Sequence, residues 1–155
     1  MKAEKLGEIL VRKHLKLATA ESCTGGLLGS RITDVPGASR YYLGGVIAYD
    51  NEIKIRVLGV KRETIEKYGA VSEECAREMA MGVARMMNAD IGIATTGIAG
   101  PGGGSEEKPV GTVYIGYYIN NEVICERKQF KGSRVEIKER IVEHAIGTLI
   151  NLLES

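Results

Sequence analysis

At 155 residues, with 44% hydrophobic and 26% charged side chains, the chain has the size and make-up of one globular domain, which excludes a disordered or fibrous protein. Lys and Arg number 21 and Asp and Glu 20, a formal charge of +1 that offers no broad positive field to nucleic acid. Cys23, Cys75 and Cys125 are odd in number and outside any CxxC pair, and His14 and His144 are far apart, so neither a disulfide framework nor a metal site is expected. Charge is spread through MKAEKLGEILVRKHLK with no apolar signal-peptide core, and no stretch reaches the ~20 apolar residues that span a bilayer. A cytoplasmic protein without membrane contact is expected. The one anomaly is glycine, 20 residues of 155, nearly twice the usual ~7%.

Leu6, Ile9 and Leu10 recur at helical spacing, and Lys13 and His14 suit the negative end of a helix dipole, which predicts a helix over 2–14. Leu15 to Glu21 reads as a short strand, followed at once by a helix that opens at Ser22, Cys23, Thr24, Gly25 and Gly26 and ends near Asp34, before Pro36 and Gly37. A strand is expected over Tyr41 to Tyr49, a short helix over Asn51 to Leu58 capped by Asp50 or Asn51, and another turn of helix over Glu63 to Tyr68. Glu73 to Asn88 is a stronger helix. Ser72 is its cap, and its stripe of Ala76, Met79, Ala80, Val83, Ala84 and Met87 reads as core rather than as a cofactor box. Ile91 to Thr96 predicts a strand, and Val110 to Ile119 with Glu122 to Phe130 a hairpin turned at Asn120 and Asn121. Ser133 to Leu153 closes the chain as a long amphipathic helix. Helices interleaved with strands and one hairpin predict a single three-layer α/β/α domain with a mixed sheet over residues 1–155.

Three segments could carry chemistry. Glu21-Ser22-Cys23-Thr24-Gly25-Gly26 lies at the strand-to-helix junction, where free N–H groups suit an anion or an oxyanion. Ser22 there is either a nucleophile or a plain helix cap; Cys23 is a rival nucleophile or a small buried residue. Gly25, Gly26 and Gly29 in one helix would each cost roughly 1 kcal/mol against Ala, which favours close approach of a backbone or a ligand. Tyr49-Asp50-Asn51-Glu52-Ile53-Lys54 could turn a tyrosine and a lysine to one cleft as proton acceptor and donor, although a lysine on a solvated helix face is the commoner arrangement. Thr95 to Ser105, with five glycines between Gly97 and Gly104, is either an anion-binding nest or a surface loop. It fits neither GxxxxGK[ST] nor GxGxxG. Ten of the 20 glycines fall in or beside these three segments, counting Gly29 and, in the strand leading to Tyr49, Gly44 and Gly45, which reads as close backbone approach around one small ligand.

Taken together, ATAESCTGGLLGSRITDVPGAS, GGVIAYDNEIKIRVLGV, GAVSEECAREMA and ATTGIAGPGGGSEEKPVGTVYIG resemble the carboxy-terminal domain of the competence/damage-inducible protein CinA and its stand-alone form PncC, the nicotinamide-nucleotide amidases. The resemblance runs from about Leu6 to Leu153. It implies hydrolysis of the carboxamide of nicotinamide mononucleotide to nicotinate mononucleotide and ammonia, in pyridine-nucleotide salvage, with no cofactor and no metal. The family's serine falls on Ser22, its tyrosine on Tyr49 and its lysine on Lys54. Ser22 would attack, neutral Lys54 would take its proton, by way of Tyr49 or directly, and N–H groups at the start of the Ser22 helix, around Thr24 and Gly25, would hold the oxyanion.

A lysine serves as a base only where desolvation or a neighbouring cation lowers its pKa. Thr96, Gly97, Gly100, Gly102 and Gly103 would donate to the phosphate and ribose of the substrate, and Arg134 would be an anion ligand. Ser133 departs from the acidic residue or Asn more usual in the family. No amino-terminal molybdopterin-binding-like domain is matched, so the pyrophosphatase activity of that domain in longer relatives is not expected of these residues. Family resemblance and the tyrosine-rich hairpin around Tyr114, Tyr117 and Tyr118 predict a homo-oligomer. Two other readings stand beside the amidase: a non-catalytic nucleotide-binding or interaction module of the same family, and an amidase for another small carboxamide.

Overall fold

The computed structural model describes residues 2–155. The elements follow the order α1 (Lys2–Lys13), β1 (Leu17–Glu21), α2 (Leu27–Thr33), a 3-10 turn (Ala38–Arg40), β2 (Tyr42–Ile47), α3 (Asn51–Leu58), α4 (Arg62–Tyr68), α5 (Glu73–Met87), β3 (Ile91–Gly97), β4 (Thr112–Ile119), β5 (Glu122–Gln129) and α6 (Arg134–Glu154). Local chemistry sets most boundaries. The Asp50 carboxylate accepts from Glu52 N–H at the start of α3, the Ser72 hydroxyl from Cys75 N–H at the start of α5, and Asn88 ends α5 in a left-handed conformation. At the start of α6, Ser133 and Glu136 form a reciprocal capping box, and bonding to Ser133 holds the Glu136 carboxyl below its ordinary pKa. Ser133 is thus a competent replacement for another capping residue. Asn120 and Asn121, with φ of 50° and 68°, supply the two positive angles that a two-residue hairpin turn requires.

The five strands run β2-β1-β3-β4-β5, with β1 parallel to both β2 and β3 and the remaining pairs antiparallel. This is the mixed sheet that the pattern predicts, with helices on both faces. One face packs Leu17, Ile91, Ile93 and Ile115 against α1, α2 and α6; the other packs Ala18, Ala20 and Ala94 against α5, with α3 beyond it. The methionine-bearing stripe of α5 is core, as its periodicity implies. Among the described residues no helix is long and apolar enough to cross a membrane.

Three expectations are corrected. The helix predicted to open at Ser22 begins at Leu27: Gly25 and Gly26 have φ of 59° and 106°, a left-handed backbone that forms a turn instead of a helix. Tyr117 and Tyr118 belong to the core and donate to Glu126 and Asn121, so two of the three hairpin tyrosines that grounded the expected homo-oligomer are engaged within the chain; Tyr114 is half-buried. Most of the ten glycines in the three segments serve packing within the protein. A Cβ on Gly29 would lie 2.7 Å from the Tyr42 hydroxyl and one on Gly97 2.7 Å from the Thr112 carbonyl; on Gly45 it would strike Thr19, and on Gly100 Val110. Only Gly102 of the ten has nothing within 4 Å.

Close packing of layers accounts for further glycines. α5 rests on the sheet at Gly92 and Gly116, where a Cβ would run into the carbonyl oxygens of Ala80 and Ala76, the latter at 2.5 Å. Neither helix backbone can retreat without opening the core. We predict that Gly116→Ala lowers the unfolding free energy by about 1–3 kcal/mol, while Gly102→Ala changes it by less than ~0.5 kcal/mol. Urea denaturation of both variants checks this.

Candidate active site

Parallel β2, β1 and β3 end on the same edge of the sheet, which is why segments far apart in sequence meet there. The chain leaves β1 toward α2 on one face and β2 toward α3 on the other, opening a crevice at the carboxyl ends of the strands. A cleft of about 290 Å³ occupies it. Ser22, Tyr49, Lys54, Thr96, Gly97, Gly100, Gly102, Gly103 and Arg134 all line this cleft; Thr24 and Gly25 do not. A wider groove of about 600 Å³ lies along α1 but is lined by no serine, cysteine or histidine.

Ser22 is held by its main chain: its N–H donates to Thr95 O at 3.0 Å on β3, and its carbonyl accepts from Gly25 N–H at 3.1 Å. The next turn is organised by Glu21, a role that the sequence pattern did not reveal. Its carboxylate is 3% exposed. Oε1 accepts from Thr24 Oγ1 at 2.6 Å, Gly26 N–H at 3.2 Å and Leu28 N–H at 2.8 Å, and Oε2 from Gly29 N–H at 3.0 Å. The N–H groups expected to await an anion at the start of α2 are therefore already occupied by Glu21. Cys23 and Thr24 are the two turn residues whose N–H groups bond to no other residue among those described. The Thr24 side chain faces away from the cleft, donating to Glu21 and accepting from Thr95 Oγ1 at 2.8 Å. A glutamate three residues before T-G-G was the only signal in the sequence for this arrangement.

Cys23 is removed as a rival nucleophile, because burial pushes its thiol up to about 12. Lys54, in the first turn of α3, is 1% exposed, and its Nζ donates to the Tyr49 carbonyl at 2.9 Å. Burial lowers its pKa, opposed by weaker fields from Cys75, Asp50 and Cys23. Among the described residues no carboxylate forms an ion pair with it. The condition set for a basic lysine, desolvation, is met by the geometry.

Tyr49 is the main departure from the expected arrangement. Its ring is 61% exposed, and its hydroxyl accepts from Arg134 Nη2 at 3.1 Å. Tyr49 reaches Lys54 through its main-chain carbonyl, so the recorded bonds do not place the phenol as a relay between Ser22 and Lys54. Arg134 also donates from Nη1 to Gly100 O at 2.7 Å, joining α6 to the glycine loop. The opposite wall is fixed by Thr96 Oγ1 donating to Ala70 O at 2.8 Å and by Lys108 Nζ donating to the carbonyls of Tyr68 and Val71. Among the described residues no group of three or more His, Cys, Asp or Glu side chains is placed to hold a metal ion.

A three-layer α/β domain with a buried serine and a desolvated lysine at the carboxyl edge of its parallel strands defines the class. Within that class the chain belongs to the CinA C-terminal domain family, whose model matches residues 1–153. It is 51% identical over 144 residues to a CinA-like protein of Fusobacterium nucleatum, covering 93% of this chain and 35% of that protein. To a putative competence-damage inducible protein of Halothermothrix orenii it is 56% identical over 132 residues, covering 84% and 32%. The chain thus spans about a third of the length of the curated relatives it matches. Among solved structures, a CinA superfamily protein from Klebsiella pneumoniae superposes with a TM-score of 0.96 at 33% identity, covering 99% of this chain and 96% of that one. A competence/damage inducible protein from Agrobacterium tumefaciens gives 0.91 at 37% identity, covering 100% and 97%.

Truncating Glu21 strands the N–H groups of Gly26, Leu28 and Gly29 in a buried turn. Glu21→Ala is expected to lower stability by about 2–4 kcal/mol, read as a shift of the urea midpoint. An unchanged midpoint would show that the turn does not depend on this carboxylate.

Proposed function

We propose that the chain is an amidohydrolase that converts nicotinamide mononucleotide to nicotinate mononucleotide and ammonia, within pyridine-nucleotide salvage, using Ser22 as nucleophile. The observation that carries this reading is a serine and a buried, unpaired lysine lining one cleft. Ser22 Oγ attacks the carboxamide carbon while neutral Lys54 accepts the hydroxyl proton. The N–H groups of Cys23 and Thr24 donate to the oxyanion that forms. Collapse of this intermediate breaks the C–N bond, and the Lys54 ammonium returns its proton to the leaving amine, releasing ammonia. A water molecule, deprotonated by Lys54, then attacks the Ser22 ester; as the ester C–O bond breaks the Lys54 ammonium returns its proton to Ser22 Oγ, and the freed acid ionises to the carboxylate in water. Arg134 and the N–H groups of the Gly100–Gly103 segment bind the phosphate-bearing end.

A homo-oligomer is part of the proposal. Leu43 and Ile47 on edge strand β2 and Ile124 on edge strand β5 are among the exposed apolar residues that such an interface would cover; Tyr117 and Tyr118 are not.

Incubation with the mononucleotide should release ammonia, with EDTA without effect and Ser22→Ala reducing turnover by at least ~10³-fold. No ammonia from the wild-type protein at any pH between 6 and about 10 would overturn the proposal. Tight mononucleotide binding without turnover, unaffected by Ser22→Ala, would identify a binding module instead. Turnover of another small carboxamide in preference to the mononucleotide would identify a different amidase.

Lys54 should set activity against stability. Its pKa is lowered in the folded state, so between that lowered value and the ordinary ~10.4 the unfolded chain holds a proton that the native protein has shed. Stability therefore rises with pH across this window, and below it the full cost of burying the charge is borne. Lys54→Met is expected to abolish ammonia release and to flatten the rise in unfolding free energy between pH 8 and about 10. Chemical denaturation across that range checks the slope; identical slopes in both proteins would contradict a lowered Lys54.

A further inference from the structure

Arg134 is not the only cation that α6 brings near the cleft: a second lies beside the turn that follows Ser22, outside the residues that line the cleft itself. Lys138 follows it at i+4, on the same face of the helix. Its ammonium stands over the Ser22–Gly26 turn, where a Cβ on Gly25 would lie 3.6 Å from Nζ. α6 packs against α2, so this position is set by the fold rather than by the reach of a free side chain. The field of Lys138 acts on Cys23, the neighbour of Ser22. Neither Arg134 nor Lys138 forms an ion pair among the described residues.

Charge balance gives this second cation a purpose. A phosphate monoester carries nearly two negative charges at neutral pH, and Lys54 must be neutral to act as a base. The buried Glu21 carboxylate adds a further negative charge beneath the turn, bonded to neutral donors only. Lys108, on the opposite wall, is committed to the carbonyls of Tyr68 and Val71, so Arg134 without a further cation would meet a dianion with one positive charge, next to a fixed negative one. Lys138 lies on the turn that Glu21 organises and supplies the missing charge.

We infer that Lys138 is a phosphate ligand that acts with Arg134, Arg134 from the side of the glycine loop and Lys138 from the side of the Ser22 turn. The inference rests on the amidase reading for the identity of the substrate and adds to it a second charged residue that selects for the phosphate. It assigns Lys138 to binding and leaves proton transfer to Lys54.

The experiment compares nicotinamide mononucleotide with nicotinamide riboside, which lacks the phosphate, in the wild-type, Lys138→Met and Lys138→Arg proteins. Lys138→Met should reduce the ratio of kcat/KM for mononucleotide over riboside about tenfold to a hundredfold, mainly through KM, as expected for loss of one charged hydrogen bond. Lys138→Arg should restore most of it. A parallel loss on both substrates would show a structural role, and an unchanged ratio would show a solvated surface lysine; either overturns the inference. Calorimetric binding of the same two compounds separates this from failure of the amidase reading. If the wild type releases no ammonia, a selective loss of mononucleotide affinity in Lys138→Met still supports the phosphate site, and equal affinities overturn it.

Discussion

An amine can be withdrawn from water inside a protein only if it is paired with an anion or gives up its proton, and among the described residues Lys54 forms no ion pair. Its Nζ has the Tyr49 carbonyl as its recorded partner, and the groups whose fields would favour its charge, Cys75, Asp50 and Cys23, are outweighed by burial. The surrounding architecture serves this isolation. Asp50 caps the helix whose first turn carries Lys54, and α5 closes the face of the sheet behind it. An ion pair at this position would leave the chain more stable and without a base.

Glu21 shows how the same cleft keeps a negative charge from spoiling that arrangement. The carboxylate is buried one residue before Ser22, yet its oxygens are committed to Thr24, Gly26, Leu28 and Gly29. It fixes the turn and forms no ion pair with Lys54. Two buried ionisable groups thus have separate tasks, one structural and one chemical, because their environments are separate.

Periodic elements were legible from the residues alone. The stripe of α5, the Asn120-Asn121 turn and the Ser133 cap each encode their outcome locally, within a few residues. The Ser22 turn was misjudged because T-G-G after a serine satisfies the pattern of a capped helix; left-handed angles at Gly25 and Gly26 and the folding back of Glu21 are consequences of tertiary packing. Glycine was misjudged for a related reason. Gly92 and Gly116 are small because α5 lies against the sheet, and no local pattern distinguishes that from approach to a ligand. Lys138 carried no signal at all, since its place over Gly25 exists only once α6 has docked on α2. The cleft itself was legible through three segments whose residues meet at the edge of parallel strands, while the direction of the Tyr49 hydroxyl, toward Arg134, was not.

Direct titration of Lys54 tests the account at its centre. Side-chain nitrogen and Cε resonances, assigned by their loss in Lys54→Arg, would be followed against pH by heteronuclear NMR. A lowered Lys54 predicts a midpoint clearly below the ~10.4 of an ordinary lysine. A midpoint at or above the ordinary value would mean that the amine stays charged in the cleft, and Lys54 could not be the base.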